Sequence, residues 1–489
     1  MSRKELFQLG TSQQFVGGAE TPAMKQYWHF KRKYPDYILF FRMGDFYEMF
    51  YDDAKIACKV LGLALTSRSK GPDAVPLAGI PYHAVDAYLA KMIKAGYRVA
   101  ICEQVEDPKE AKGVVKRDVV RIVSPGTLTE ESLLDEREGN YLLAIFDPYD
   151  TGADSNKWSV KKAVSPVANK GSQGVKQSTR QVGLAWVELS SGVFEAAVIE
   201  PEDIVDELIR IHPAEVLLPE GSSLDTREFR ERLKEYVGAV MTPTPPWSFE
   251  PASAERALKE HFGVSTLAGF GFDSYDASLS AAGAIIDYLQ QTQKTALGHI
   301  RTLRRYNRSD YVIMDGNTIR CLEILRTLRS NQRTGTLIDI IDATVTGMGA
   351  RLLERWLTAP LRSYSAIVAR QDAVEELTSD REKLKRLRTL LSGMSQIDRI
   401  ASNIVMARVR PRELLGLTET LNRLPEISRL LSDSKAEILS RMPADFAGLD
   451  EPADLINRAI SPDAPAVLRD GGVIADGFDE ELDLSLIHI

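Results

Sequence analysis

The feature that most constrains the fold is a change of hydrophobic period near residue 275. Before it, short β-branched and aromatic runs alternate with helical patterns; after it, apolar residues recur at helical spacing only. Strand-like runs fall at residues 37–43, 97–102 and 119–123, with helices over 49–61 and 83–95 between them. Ala84, Leu89, Met92 and Ile93 supply an inner face for the second helix, and Pro125-Gly126 ends this stretch. A second α/β stretch opens with a buried-strand pattern at 141–146. It continues with a hairpin (181–189 and 192–199) around Ser190-Ser191-Gly192, a helix at 201–211 and a strand at 215–218. Helices are then expected over 277–293, 348–357, 364–378, 381–391, 396–405, 411–421 and 454–459, with Pro411 in a first turn where proline is tolerated. Short loops between such helices predict an antiparallel bundle. The fold class read from this pattern is multidomain, mixed α/β followed by α.

A chain of 489 residues is too long for one domain. The pattern divides it into a leader at 1–20, an α/β domain at 21–130, a second α/β domain at 138–265 and a helical domain at 275–483. Within the second domain, 149–180 is rich in Gly, Ser, Asn, Lys and Gln and lacks periodicity, which reads as a mobile surface insertion. No apolar run approaches the ~20 residues that span a bilayer, so no membrane is expected. Cys58, Cys102 and Cys321 are scattered and odd in number, which suits a reducing, cytoplasmic setting. The formal charge of −8 is uneven: residues 1–129 hold 19 Lys/Arg against 14 Asp/Glu, a net of +5 on an acidic body. That permits a limited nucleic-acid surface without selecting one.

Residues 41–50, Phe-Arg-Met-Gly-Asp-Phe-Tyr-Glu-Met-Phe, carry the sharpest functional signal. On an extended backbone Phe46 and Glu48, two apart, share a face. An aromatic beside a carboxylate suits insertion into a base stack with a neighbouring probe of the base edge. Aromatics this dense more commonly form core. Chemistry is otherwise sparse. No G-x-x-x-x-G-K-[ST], H-E-x-x-H or G-x-S-x-G motif occurs, and the six histidines are scattered. The chain's own residues predict no catalytic site, bound cofactor or metal.

The neighbouring segments Thr21-Pro22-Ala23-Met24-Lys25-Gln26-Tyr27, Ala78-Gly79-Ile80-Pro81-Tyr82-His83-Ala84-Val85, Ile101-Cys102-Glu103-Gln104 and Ile122-Val123-Ser124-Pro125-Gly126-Thr127 extend this signal in a fixed order. So do Gly269-Phe270-Gly271, Pro360-Leu361-Arg362 and Asp470-Gly471-Gly472-Val473-Ile474. Together they resemble the N-terminal portion of the MutS family of bacterial DNA mismatch-repair proteins. The resemblance implies a mismatch-recognition domain, then a ribonuclease-H-like connector domain, then an α-helical core/lever domain. It implies that Phe46 stacks on a mispaired base, with kinking of the duplex, and that Glu48 bonds to that base. The basic residues Arg42, Arg68, Lys70, Lys112, Lys116 and Arg117 are candidate contacts to the DNA backbone.

The implied partners are double-stranded DNA with mismatches or small loops, and MutL through the connector domain. The family is an ATP-dependent sliding clamp that uses ATP and Mg2+ and works as a homodimer. Its clamp and ATPase parts are expected beyond this sequence, so this chain is expected to be mainly monomeric. Leu484–Ile489 reads as a non-native tail of the kind a sequencing adapter encodes. Two rival classes remain. An interaction scaffold of the same family would lack the Phe-x-Glu pair, and a nuclease on the connector would need acidic residues clustered at strand ends.

Overall fold

The computed structural model describes residues 21–67, 74–106, 113–150, 180–294, 297–466, 468 and 471–488. The leader, most of the 149–180 insertion, Arg68, Lys70 and Lys112 lie outside the described residues. The chain divides into two compact units, up to Val123 and from Ser124 onward.

In the first unit, α1 (Pro22–Lys33) starts at the Thr21 cap with proline in its first turn. A six-stranded sheet follows, with order β3-β4-β2-β1-β5-β6. Its strands are β1 (Ile38–Met43), β2 (Phe46–Phe50), β3 (Thr66–Ser67), β4 (Pro76–Pro81), β5 (Val99–Gln104) and β6 (Arg117–Val123). Only β1 and β5 pair in parallel, so the sheet is mixed. Helices α2 (Tyr51–Leu61) and α3 (Val85–Lys94) complete the unit. Tyr27 and Phe30 of α1 pack on Leu39, Phe41, Phe50, Ala100 and Cys102 of one sheet face. Buried Asp53 of α2 accepts from Leu39 N at 3.1 Å and from Lys31 Nζ at 2.8 Å, joining α1, α2 and β1. The helix expected from residue 49 starts two residues later, because Met49 and Phe50 are still paired to β4.

The second unit contains another six-stranded sheet, order β11-β10-β7-β8-β9-β12. It comprises β7 (Tyr141–Phe146), β8 (Val182–Glu188), β9 (Val193–Ile199), β10 (Glu215–Pro219), β11 (Val240–Thr244) and β12 (Arg304–Arg305). The first three form an antiparallel meander, and β10, β11 and β12 pair in parallel with their neighbours. Both faces are covered. Leu142 and Ala144 join one core with α6 (Pro251–Phe262) and α7 (Ala277–Gln293). Leu143 and Ile145 join another, with α4 (Ile204–Ile211) and α5 (Arg227–Tyr236). The period of two places successive β7 residues in different cores.

The expected boundary between 265 and 275 is corrected here. Helix α7, read as the start of the helical domain, lies on this sheet and belongs to the same core as β7 and β8. The reason is close approach. A Cβ on Gly183 of β8 would sit 2.0 Å from the carbonyl oxygen of Ala277, and one on Gly283 would sit 2.3 Å from the Cβ of Ala254. A helix wedged between sheet and α6 is buried nearly all round and shows no polar face to mark its allegiance.

The remaining helices are α8 (Gly316–Cys321), α9 (Leu337–Ile341), α10 (Gly347–Thr358), α11 (Tyr364–Ser379), α12 (Arg381–Leu391) and α13 (Ile397–Val405). They continue with α14 (Pro411–Leu421), α15 (Leu424–Leu431), α16 (Glu437–Asp445), α17 (Asp450–Ala459) and α18 (Glu480–His488). Pro411 occupies the first turn of α14 as expected. Ala373, Ile400, Leu417, Leu421, Leu431, Leu439 and Ala453 build a shared core for the bundle. The sequence pattern did not give α8, α9, α15, α16 or α18, and Pro443 inside α16 explains part of this. Helix α18 runs through residues 484–488 of the expected non-native tail. Buried arginines bolt the bundle to the segment before β7. Arg399 donates to the carbonyls of Asp135 and Glu138, and Arg351 to that of Glu136.

Candidate nucleic-acid interface

The β1–β2 hairpin turns on Gly44 and Asp45, since Met43 pairs directly with Phe46. Gly44 has φ +61°, the left-handed value that a two-residue primed hairpin accepts at its first loop position. Residues then alternate. Phe46 is 48 % exposed, Tyr47 4 % exposed, and Glu48 half-buried. Phe46 and Glu48 share a face, as the spacing predicts. A Cβ added to Gly79, the cross-strand partner of Glu48, would lie 3.8 Å from Phe46 Cδ1 and 3.9 Å from Glu48 Cγ. The absent side chain at Gly79 therefore leaves the cleft between the two open. Of the aromatics around this hairpin, Phe40, Phe41, Tyr47 and Phe50 are core. Helix α1 covers the sheet as far as Phe41 and Phe50 and leaves the Phe46 end bare.

On the opposite face, the Tyr47 hydroxyl donates to Glu103, and burial followed by this bond pushes its pKa well above the ordinary phenol value. Arg42 points the same way, being paired with Tyr47 across the hairpin. Its guanidinium lies 4.0 Å from the centre of the Tyr82 ring, 3.9 Å from Glu103 and bonded to the Gly44 carbonyl. Arg42 thus braces the turn from behind, on the face away from Phe46.

The Lys116-Arg117 pair is split by the strand period. Lys116 is exposed, while Arg117 is buried. Arg117 Nε donates to the Arg42 carbonyl at 2.7 Å, and Nη1 donates to the Val115 carbonyl at 2.8 Å and Gln26 Oε1 at 3.2 Å. The expectation of a phosphate contact at Arg117 is therefore corrected, because its donors are committed inside the unit. Burial lowers its pKa, opposed by Cys102 and Glu48. Sequence reasoning singled out neither Gly79 nor Tyr82 for a role at this site, although both stand in the Ala78–Val85 segment it quoted. Tyr51, at φ +54° beside Trp28 with ring centres 4.9 Å apart, lies in the helix expected over 49–61 and was given no role of its own.

The acidic residues on the second sheet are all occupied. Glu215 is fully buried and accepts from Thr242 Oγ1 at 2.6 Å, Tyr288 OH at 2.9 Å, Gly126 N at 3.0 Å and Ser124 Oγ. Glu195 accepts from Trp186 Nε1 at 3.0 Å and from Arg355 at 2.8 Å, and Glu188 from Ser190, Ser191 and Arg399. Among the described residues no group of three His, Cys, Asp or Glu side chains could hold a metal ion. With no phosphate-binding glycine loop in the sequence either, these residues do not fit an ATP–Mg2+ site. No helix of the described residues is long and apolar enough to cross a membrane.

Comparison with known proteins gives an ordered result. The model of MutS domain I matches residues 21–132, that of MutS domain II residues 169–301, and that of MutS domain III residues 317–487. The domain II match includes α7, in agreement with its packing. The DNA mismatch repair protein MutS of Rhodopirellula baltica is 41 % identical over 465 residues, covering 95 % of this chain and 50 % of that protein. The protein of the same name from Symbiobacterium thermophilum is 41 % identical over 469 residues, with the same coverage. The chain therefore spans about half the length of the curated relatives it matches. With all three domains present in order on a mixed α/β and α architecture, the chain belongs to the MutS family.

Proposed function

We propose that this chain serves DNA mismatch repair by recognising mispaired and looped-out bases in double-stranded DNA. The observation that carries the reading is Phe46, an exposed ring on a sheet whose other aromatics are buried, with Glu48 beside it. Inserted from the minor groove, such a ring unstacks a base step and kinks the duplex. Unstacking a paired step costs roughly a few kcal/mol, and a step weakened by mispairing costs less. Selectivity then follows deformability and needs no sequence readout. Glu48 reaches the base edge from the same face, and its charge penalises duplexes that offer it no partner. Lys116, exposed beside Arg117, contributes to backbone attraction.

Phe46→Ala should abolish most preference for a G·T or unpaired-T duplex over homoduplex, since base–aromatic stacking contributes about 1–3 kcal/mol. Fluorescence anisotropy on both duplexes measures it, and an unchanged ratio would sink the reading. Glu48→Ala should tighten homoduplex binding in the same assay. We further propose that the longer chain acts as an ATP- and Mg2+-dependent homodimer that engages MutL through its connector domain. The present chain should be mainly monomeric, and a tight dimer in light scattering at micromolar concentration would contradict that.

A further inference from the structure

Phe46 and Glu48 lie at the hairpin end of β2, a strand held by β1 on one side and β4 on the other. Phe46 is the first residue of β2 and Met43, opposite it, the last of β1. A ring that forces apart a base step receives an equal reaction. If the strand end yields more easily than the stack, the protein deforms and the DNA does not. The scaffold behind Phe46 therefore has to be stiff.

Arg117 packs directly behind this edge. Its guanidinium lies against the end of β1, over the Phe41 ring at 5.1 Å. Phe41 is the cross-strand partner of Glu48, and Arg42, whose carbonyl accepts from Nε at 2.7 Å, is that of Tyr47. Met43, the partner of Phe46, receives Nη2 on its sulfur at 3.4 Å. One side chain therefore touches the β1 partner of each of Phe46, Tyr47 and Glu48. Through Gln26 Oε1 it also fixes the first half of α1, and through the Val115 carbonyl the strand that carries it. A charge this buried is tolerated because its donors are bonded, and Glu48 is among the charges that favour it. Lysine, a point charge without the planar fork, could not span these acceptors.

We infer that Arg117 is the positioning residue of the Phe46–Glu48 edge, holding the end of β1 rigid so that strain falls on the DNA rather than on the protein. This rests on the mismatch reading above. It differs from a phosphate contact, which needs an exposed guanidinium, and from a purely structural arginine, whose loss would leave discrimination intact.

The test measures Arg117→Met and Arg117→Lys, alone and with Phe46→Ala, on G·T heteroduplex and homoduplex over a range of salt. Arg117→Met should lower the heteroduplex preference roughly tenfold, the size expected from a lost stacking contact. It should leave the slope of log affinity against log salt unchanged and add little to Phe46→Ala. Arg117→Lys should restore only part. A slope reduced by about one would identify a phosphate contact instead. An unaltered preference with a lowered melting temperature would make Arg117 structural only.

Hydrogen exchange keeps the assignment separable from the mismatch reading. Arg117→Met should speed amide exchange over residues 41–48 while the second unit is unaffected, whatever Phe46 does to DNA. Unchanged exchange there overturns the inference. If Arg117→Met does not fold, Gln26→Ala, which removes one acceptor, should show the same two effects at smaller size, and their absence would be equally decisive. Phe46→Ala retaining full preference would refute the mismatch reading and leave the exchange result to judge Arg117.

Discussion

Each of the two sheets carries glutamates on its strands, and the two units treat them in opposite ways. Glu48 stands half-buried beside an exposed ring, at the end of a sheet that α1 covers only in part. Glu215 is enclosed under Tyr288, with hydroxyl and amide donors filling its oxygens. The residue type and secondary structure are the same. What differs is how far the covering helices extend along the strands. A carboxylate left at a rim can address a ligand, whereas one sealed in must be satisfied internally or the fold loses stability.

The largest effect is expected at Glu215. Glu215→Ala should cost about 3 kcal/mol or more in urea unfolding, because at least four buried donors lose their acceptor. A cost below about 1 kcal/mol would mean that the site relaxes like a rim. Gly183→Ala should cost about 1–3 kcal/mol by pressing a methyl into the α7 backbone, sharpening the contrast between a fully covered sheet and a partly covered one.

The pH dependence of the second unit follows from buried groups. Burial holds His212 and His299 down to about 4, so both are neutral when folded and protonate first in the unfolded chain. Their contribution is present above the ordinary histidine value and is lost as pH falls from about 6.5 towards 4. Glu354 is pushed up to about 7 by burial, then by Glu138, so it opposes that loss. Folded Glu354 keeps its proton where the unfolded chain has released it, and stability falls as pH rises from about 4.5 to 7. Glu354→Gln should therefore steepen the decline in stability between pH 6.5 and 4.5 by about one proton. An unchanged slope in melting temperature against pH would refute this.

The smallest effects belong to the first unit's edge. Gly44→Ala should cost about 1–2 kcal/mol for a side chain in left-handed backbone, with open space around it. Phe46→Ala should change stability by less than about 0.5 kcal/mol while altering DNA discrimination, which separates a contact residue from a core one. A loss above about 2 kcal/mol would place Phe46 in the core despite its exposure.

Much of this was legible in the chain, and the gaps have definite causes. Periodicity located helices α12 and α14 to the residue and the β7–β9 strands to within a few positions, because each has a face whose burial repeats at its own spacing. It also placed Phe46 and Glu48 together, since two residues on one strand need no tertiary information to share a face. Lys116 and Arg117 read as one charged patch because they are neighbours in the chain, whereas alternation sends them to opposite sides. Nor could periodicity assign α7, whose small residues record close contact without naming the surface contacted.

Sequence by itself determined the family, the order of α/β and helical domains and the pair at the exposed edge. These rest on local period and on motifs contiguous in the chain. Tertiary structure alone decided which side of the sheet each strand end leaves open, that Arg117 turns inward, and that Glu215 is sealed. Those outcomes depend on pairs 73 to 91 residues apart, Arg117 with Gln26 and Glu215 with Ser124 and Tyr288 among them. Burial and hydrogen-bond satisfaction are properties of the enclosing neighbours, which no local pattern specifies.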